Sequence, residues 1–292
     1  MTTLVTGCRG RIGSTLVSLL HRDGHAVRAA SRTPENLAAT ADALPAGVPV
    51  GVPAGVPVVA CDLDDPATFG AALNGIDSVF LYAAPSGIDA FLATAESAGV
   101  RHIVLLSSSS VLARDPQENP IASSHHTVEQ AVIASPLTTT LLRPGSFMSN
   151  AFQWVQSVRA HGSVDLPYPD SHSSPIHATD IAEAALAALT EPRLQGAAYH
   201  LTGPESLTAA EQIGALATAS GHPITVNTVT AAAWKESVAA FMPGPIADAL
   251  LAYAAALDGV PDEVTSDVEK LTGHPARTFA TWAQENAAAF RP

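Results

Sequence analysis

The chain has 292 residues, 47% of them apolar, 14% charged and 5% aromatic, which is material for one large domain or a domain with a smaller lobe, and too apolar for disorder. A net charge of −13, from 14 Lys and Arg against 27 Asp and Glu, argues against nucleic acid or an anionic membrane surface as partner, since both demand a basic patch. Two cysteines, Cys8 and Cys61, are too few for a disulfide framework or a four-thiolate zinc site, and with no secretory leader pattern and no long apolar run the expectation is a cytoplasmic protein outside the membrane.

Thr3–Thr6 reads as a first strand, and Ile12–His21 as a helix with Leu16, Leu19 and Leu20 at helical spacing. Further strands are expected at Ala26–Ala30, Val58–Cys61, Ser78–Ala83, His102–Leu106 and Thr138–Leu142, with helices at Gly87–Ala98 and His125–Ala134. This alternation predicts an α/β fold, a doubly wound parallel sheet with helices on both faces. Residues 45–57 break the rhythm with three near-copies of a Gly-Val-Pro tetrapeptide, whose prolines disfavour a central strand, and are expected to form an expanded surface loop. After Arg143, Ala-rich helices dominate at Thr179–Leu189, Ala209–Ser220, Ile246–Leu257 and Arg277–Phe290, and a short strand near Tyr199–Leu201 returns to the sheet edge. The expected division is a dinucleotide-binding core over 1–145 and a mainly substrate-binding lobe over 146–292, with returns to the sheet near 176–202. Ligands of such sheets sit beyond the carboxyl ends of the strands, so the small C-terminal lobe should cap that edge.

Gly7, Gly10 and Gly13 follow the first strand and open the first helix in Thr6-Gly7-Cys8-Arg9-Gly10-Arg11-Ile12-Gly13. That spacing suits a tight turn, close approach of backbone to a pyrophosphate, and close packing of helix on strand. The free amides and partial positive charge of the helix start favour phosphate. The second strand ends in Arg28-Ala29-Ala30-Ser31-Arg32, with no acid between Gly24 and Pro34 to take ribose hydroxyls. Ser31 and Arg32, assisted by Arg9 or Arg28, suit a 2′-phosphate, so NADPH is favoured over a possible NADH. Asp62 and Leu63 should touch the adenine edge, and Ala83, Ala84 and Pro85 should pass under the adenosine side.

Together with Ser107-Ser108, Leu142-Arg143-Pro144-Gly145-x-Phe147-Met148-x-Asn150 and Ile176-His177-Ala178-Thr179-Asp180-Ile181-Ala182, these motifs resemble the short-chain dehydrogenase/reductase superfamily in its atypical, NmrA-like branch. The resemblance covers nearly the whole chain and implies a Rossmann domain with a small substrate lobe, Pro144 among the cofactor residues, and an oxidoreductase. One departure is marked. The superfamily's Tyr-x-x-x-Lys pair is missing: Tyr82, Tyr168, Tyr199 and Tyr253 have no lysine four residues on, and the lysines are Lys235 and Lys270. Registering Glu129 on the family's acid puts His125 at the lysine position and Ile121 at the tyrosine position. Some NmrA-like quinone reductases carry a similar histidine.

His125 is therefore the candidate proton donor, with Ser108 or Ser109 as hydrogen-bond donor to a carbonyl oxygen. The competing reading pairs His125 with Glu129 on the helix surface. His161, His172 and His177 lack metal-ligand spacing, so no metal is expected, and Asp180 is read as a helix cap. Phe147, Met148, Trp154 and Tyr168, with Trp234, Phe241 and Met242, are candidates for an apolar pocket wall. Three functions follow as expectations. The first is an NAD(P)H-dependent ketoreductase acting on an apolar aromatic or polycyclic ketone or quinone, as in antibiotic biosynthesis. The second is a general NADPH quinone reductase, and the third a non-catalytic NADP(H)-sensing regulator. The partner is a small molecule, and the protein a monomer or homodimer.

Overall fold

A computed structural model describes residues 1–35 and 51–291. The strands are β1 (Thr2–Val5), β2 (Ala26–Ser31), β3 (Val58–Ala60), β4 (Ser78–Tyr82), β5 (His102–Leu106), β6 (Thr138–Pro144), β7 (Ser163–Leu166), β8 (His172–Ser173), β9 (Ala198–Leu201), β10 (Leu207–Thr208) and β11 (Thr225–Thr228). The helices are α1 (Arg11–Arg22), α2 (Phe69–Leu73), α3 (Ile88–Ser97), α4 (Pro120–Ala134), α5 (Val155–His161), α6 (Ala178–Thr190), α7 (Ala209–Ser220), α8 (Ala231–Val238), α9 (Gly244–Ala256), α10 (Asp267–Thr272) and α11 (Phe279–Glu285). Seven strands form one parallel sheet in the order β3-β2-β1-β4-β5-β6-β9. The strand order reverses between β1 and β4, which opens a crevice at their carboxyl ends.

Side-chain alternation along a central strand feeds two cores. Leu4 of β1 points to a core with α2, α3 and α4, and its neighbour Val5 points to one with α1 and α6; both are fully buried. Helix α1 turns Leu16, Val17 and Leu20 inward and ends in His21 and Arg22, which suit the negative end of its dipole. A third core lies beyond β6, where Met148 and Val158 meet Ile213 and Leu216 of α7 and the aromatics Phe279, Trp282 and Phe290. The small parallel pair β7–β11 and the antiparallel pair β8–β10 belong to this region.

Several expectations need correction. Residues 36–50 lie outside the described residues, and with them positions 45–50 of the repeat loop expected over 45–57. Helix α4 starts at Pro120, five positions before the expected His125, because Asn119 caps the amides of Ile121 and Ala122 and proline suits the first helical position. The last helix is shorter than expected, since α11 ends at Glu285 and a single tight turn follows at Ala287–Phe290. Asp180 does not cap α6. His177 does, its Nδ1 accepting from Thr179, while Asp180 sits fully buried in the first turn.

Asp180 is buried because Arg277 neutralises it. Arg277 donates through its backbone amide to Asp180 at 2.8 Å, and its guanidinium bonds both Asp180 and Glu183. Burial alone would lift the Glu183 carboxyl, but Arg277 and then His274 outweigh it and hold the group below its usual range. This network fastens the C-terminal segment to α6. Arg277→Ala strips Asp180 of its cation, and the expected cost at pH 7 is about 3 kcal/mol, the low end for a broken buried pair because the guanidinium is partly exposed. A depressed carboxyl stabilises the fold above its unfolded pKa and loses that contribution as pH falls through the folded one. The gap between wild type and Arg277→Ala in urea melts should therefore narrow as pH drops below about 4.3.

Candidate cofactor site and substrate cleft

The turn after β1 is built on two glycines that tolerate no side chain. Gly7 has φ +62°, and a Cβ there would lie 2.6 Å from the Tyr82 ring. A Cβ on Gly13 would meet the Gly7 carbonyl oxygen at 2.3 Å. The Gly10 amide donates to Gly7 O at 2.9 Å, and Gly10 then opens α1 without any side-chain cap. The helix start therefore keeps its amides for a ligand. Nothing local in the sequence marks Tyr82 for this role, since it is a strand residue with no lysine four positions on. Burial pushes its phenol up to about 12, with the Gly13 amide opposing.

Above this turn lies a cavity of about 840 Å³ along the carboxyl ends of β1, β2, β3 and β4. Of the expected cofactor residues, Gly7, Arg9, Gly10, Ser31, Arg32, Asp62, Leu63 and Ala84 line it. Arg9 donates to Thr33 Oγ1 at 2.7 Å, and Thr33 joins the lining as a residue not foreseen. Arg32 is exposed at the rim. Arg28 is not available to a phosphate: its guanidinium donates to the carbonyls of Ala72 and Asn74 at 2.9 and 2.8 Å, behind the sheet end. The Ile12 side chain belongs to the core. Arg11 lies 4.6 Å over the ring of Phe152, a cation–π contact to the third core. Ala83 packs on the second core, Pro85 is exposed outside the lining, and Pro144 is buried at the end of β6. The glycine cradle, the uncapped helix start and two cations at one end fit a phosphorylated dinucleotide.

A second cleft follows along the same edge, at the ends of β5, β6 and β9. It consists of two adjoining cavities of about 500 and 230 Å³ that share Ser146, Asn150, Leu250 and Tyr253. Ser108, Ser109 and Ser110 line the first. The Ser108 hydroxyl is occupied by the Ser110 amide at 3.2 Å and the Ser110 hydroxyl at 2.9 Å. Ser107 is buried, and its Oγ has no partner among the described residues. Trp154, Tyr168 and Trp234 line the second cavity. Phe147 packs against the first core, and Met148 is 1% exposed within the third, so Met148 is core rather than wall. Phe241, at 74% exposure, lies on the surface outside both cavities.

Ile121 lines the cleft, but His125, one turn further along α4, lines neither cavity. Its Nδ1 is buried with no hydrogen-bond partner among the described residues. Burial pushes the imidazole below its ordinary value, with the charge of Glu129 opposing. Glu129 is not its surface partner: it is 2% exposed and takes a two-bond fork from Arg143 at 2.9 and 2.6 Å. The one group of three metal-ligand side chains among the described residues is Asp180, Glu183 and His274, and it already holds the Arg277 guanidinium.

The model of a family described as NAD(P)H-binding matches residues 7–192. A (4-alkanoyl-5-oxo-2,5-dihydrofuran-3-yl)methyl phosphate reductase of Streptomyces griseus is 36% identical over 99% of both chains. An NAD(P)H azoreductase of Xenophilus azovorans is 36% identical over 98% of each. Among solved structures, an NADPH-dependent quinone oxidoreductase of Escherichia coli, complexed with NADPH, superposes with TM-score 0.79 at 23% identity, covering 96% of this chain and 98% of that one.

Two measurements probe the cofactor end. Arg32→Ala should weaken NADPH by roughly 1.5–3 kcal/mol, the scale of a charge-assisted phosphate contact, and barely change NADH; equal losses in calorimetric titrations would refute a phosphate clamp. A Cβ on Gly10 meets Gly7 O at 3.4 Å, an ordinary contact. Gly10→Val should thus fold but bind neither cofactor, whereas Gly13→Ala should lower the melting temperature of the cofactor-free protein.

Proposed function

This chain belongs to the NAD(P)H-binding family, and we propose that it is an NADPH-dependent reductase of a ketone or quinone carbonyl on an apolar, aromatic or polycyclic secondary metabolite. The observation that carries this reading is a dinucleotide cavity and an aromatic-walled cleft side by side on one sheet edge. Both 36% identical relatives bear reductase names, which supports reduction over mere sensing.

NADPH, when bound, supplies two electrons and one hydrogen from its nicotinamide, and reducing C=O to C–OH needs one proton more. The amides at the start of α1 and the Gly7–Gly10 turn would hold the pyrophosphate, and Arg9, Ser31 and Arg32 would hold the 2′-phosphate. Ser108, which only accepts from Ser110, and Ser109, beside Gly145 on the cleft wall, each keep an O–H to donate to a carbonyl oxygen, whereas Ser110 gives its proton to Ser108. Trp154 and Tyr168 orient a flat substrate and exclude water.

The proton is the open term. Ile121 stands where the superfamily has its phenol and offers none. Burial disfavours the charged imidazole of His125, which lies outside the lining among the described residues. The proton then comes from the substrate's own neighbouring phenol, or its need is reduced by a quinone's delocalisation. On this reading His125→Ala lowers kcat for a phenol-bearing ketone by less than about tenfold, while masking that phenol is far more costly. A loss of about 10²–10⁴ in His125→Ala, the scale of general acid catalysis, would reinstate the histidine as donor. NADPH oxidation against quinones and polycyclic ketones tests the activity itself; tight NADPH binding without turnover of any would refute it.

A further inference from the structure

Among the described residues, neither cavity of the substrate cleft is lined by a lysine or an arginine. Its walls carry two carboxylates instead, Asp262 and Glu263. Asp262 is fixed in place: Oδ2 accepts from the Ser174 amide at 2.9 Å and the Ser174 hydroxyl at 2.8 Å, and Oδ1 accepts from the Glu263 amide at 3.0 Å. Its charge reaches the adjoining wall, where burial pushes the Tyr253 phenol up to about 12 and Asp262 adds to the shift. Both histidines of the walls are already engaged, His172 Nδ1 with Ser206 Oγ at 3.1 Å and His200 Nδ1 with Glu263 at 3.4 Å. Arg143 and Arg277, neither of which lines the cleft, are paired with Glu129 and with Asp180 and Glu183.

An anionic group entering this cleft would shed water, meet two carboxylates and find no cation to pair with. A neutral ring loses nothing comparable, and a cation gains from both the carboxylates and the aromatic faces of Trp154, Tyr168, Trp234 and Tyr253. We propose, resting on the reductase reading above, that the cleft selects neutral or cationic aromatic acceptors and rejects those bearing a phosphate or sulfonate. The substrate then differs in charge class from the phosphate ester in the name of the Streptomyces griseus relative.

The probes are 1,4-naphthoquinone and 1,4-naphthoquinone-2-sulfonate, titrated calorimetrically into the full chain loaded with 1,4,5,6-tetrahydro-NADP, whose ring is uncharged like that of NADPH and gives no hydride, so no turnover occurs. The sulfonate withdraws electrons and makes the better electron acceptor, so binding is the cleaner reading of charge than rate. The neutral quinone should bind at least about tenfold tighter, since like charges placed together cost several kcal/mol. Glu263→Lys, at a side chain 71% exposed, should narrow that ratio by about threefold through better sulfonate binding, the worth of one exposed charge pair. Sulfonate binding as tight as the neutral quinone, no binding of either, or a ratio unmoved by Glu263→Lys overturns the proposal. NADPH oxidation by the neutral quinone is followed separately: selective binding without oxidation refutes the reductase reading, whereas oxidation of both quinones with equal affinity refutes only the charge selection.

Discussion

The approach of helix α1 to the turn after β1 is the constraint from which the site follows. A single methyl on Gly13 would collide with the Gly7 carbonyl at 2.3 Å, so the helix seats only because that position carries hydrogen. Seated this way, α1 aims its amide end over the carboxyl ends of β1 and β4, where the sheet order reverses. Tyr82 fills the space beneath Gly7 and locks β4 to the turn. Strand β1 is itself clamped, with Leu4 in one core and Val5 in the other. The phosphate cradle is thus as rigid as the two cores that hold its strand.

Arginine placement links stability to function. Buried acids need cations to remain charged, and this acidic chain devotes Arg143 to Glu129 and Arg277 to Asp180 and Glu183. Arg28 satisfies two carbonyls, those of Ala72 and Asn74. Among the other arginines, Arg9 and Arg32 stand at the dinucleotide cavity, and the substrate cleft has no arginine or lysine on its described walls. Structural ion pairs and ligand preference thereby draw on the same small set of side chains.

Much of the fold was legible because its signals are local. Apolar runs of a strand buried on both faces, such as His102–Leu106, and the helical spacing of Leu16, Leu19 and Leu20 lie in nearby residues. The glycine turn could be read for the same reason. The start of α4 was also written locally, in Asn119-Pro120, but the serine-rich polar run after it masked the helical period. Asp180 was misread because its sequence neighbours suggest a cap, whereas its partner Arg277 lies 97 residues away. Met148 and Arg28 failed likewise, since a side chain's direction is set by what packs around it.

The sequence by itself determined the sheet, the cofactor turn and the missing tyrosine–lysine pair, because each is a matter of residue identity at short spacing. Only the tertiary structure decided that His125 is absent from the lining of both cleft cavities, that Tyr82 supports the glycine turn, that Thr33 joins Arg9 at the cavity, and that Asp262 and Glu263 give the cleft its charge. Those outcomes depend on segments far apart in the chain meeting at one sheet edge. Burial and electrostatic neighbourhood exist only once that edge is assembled.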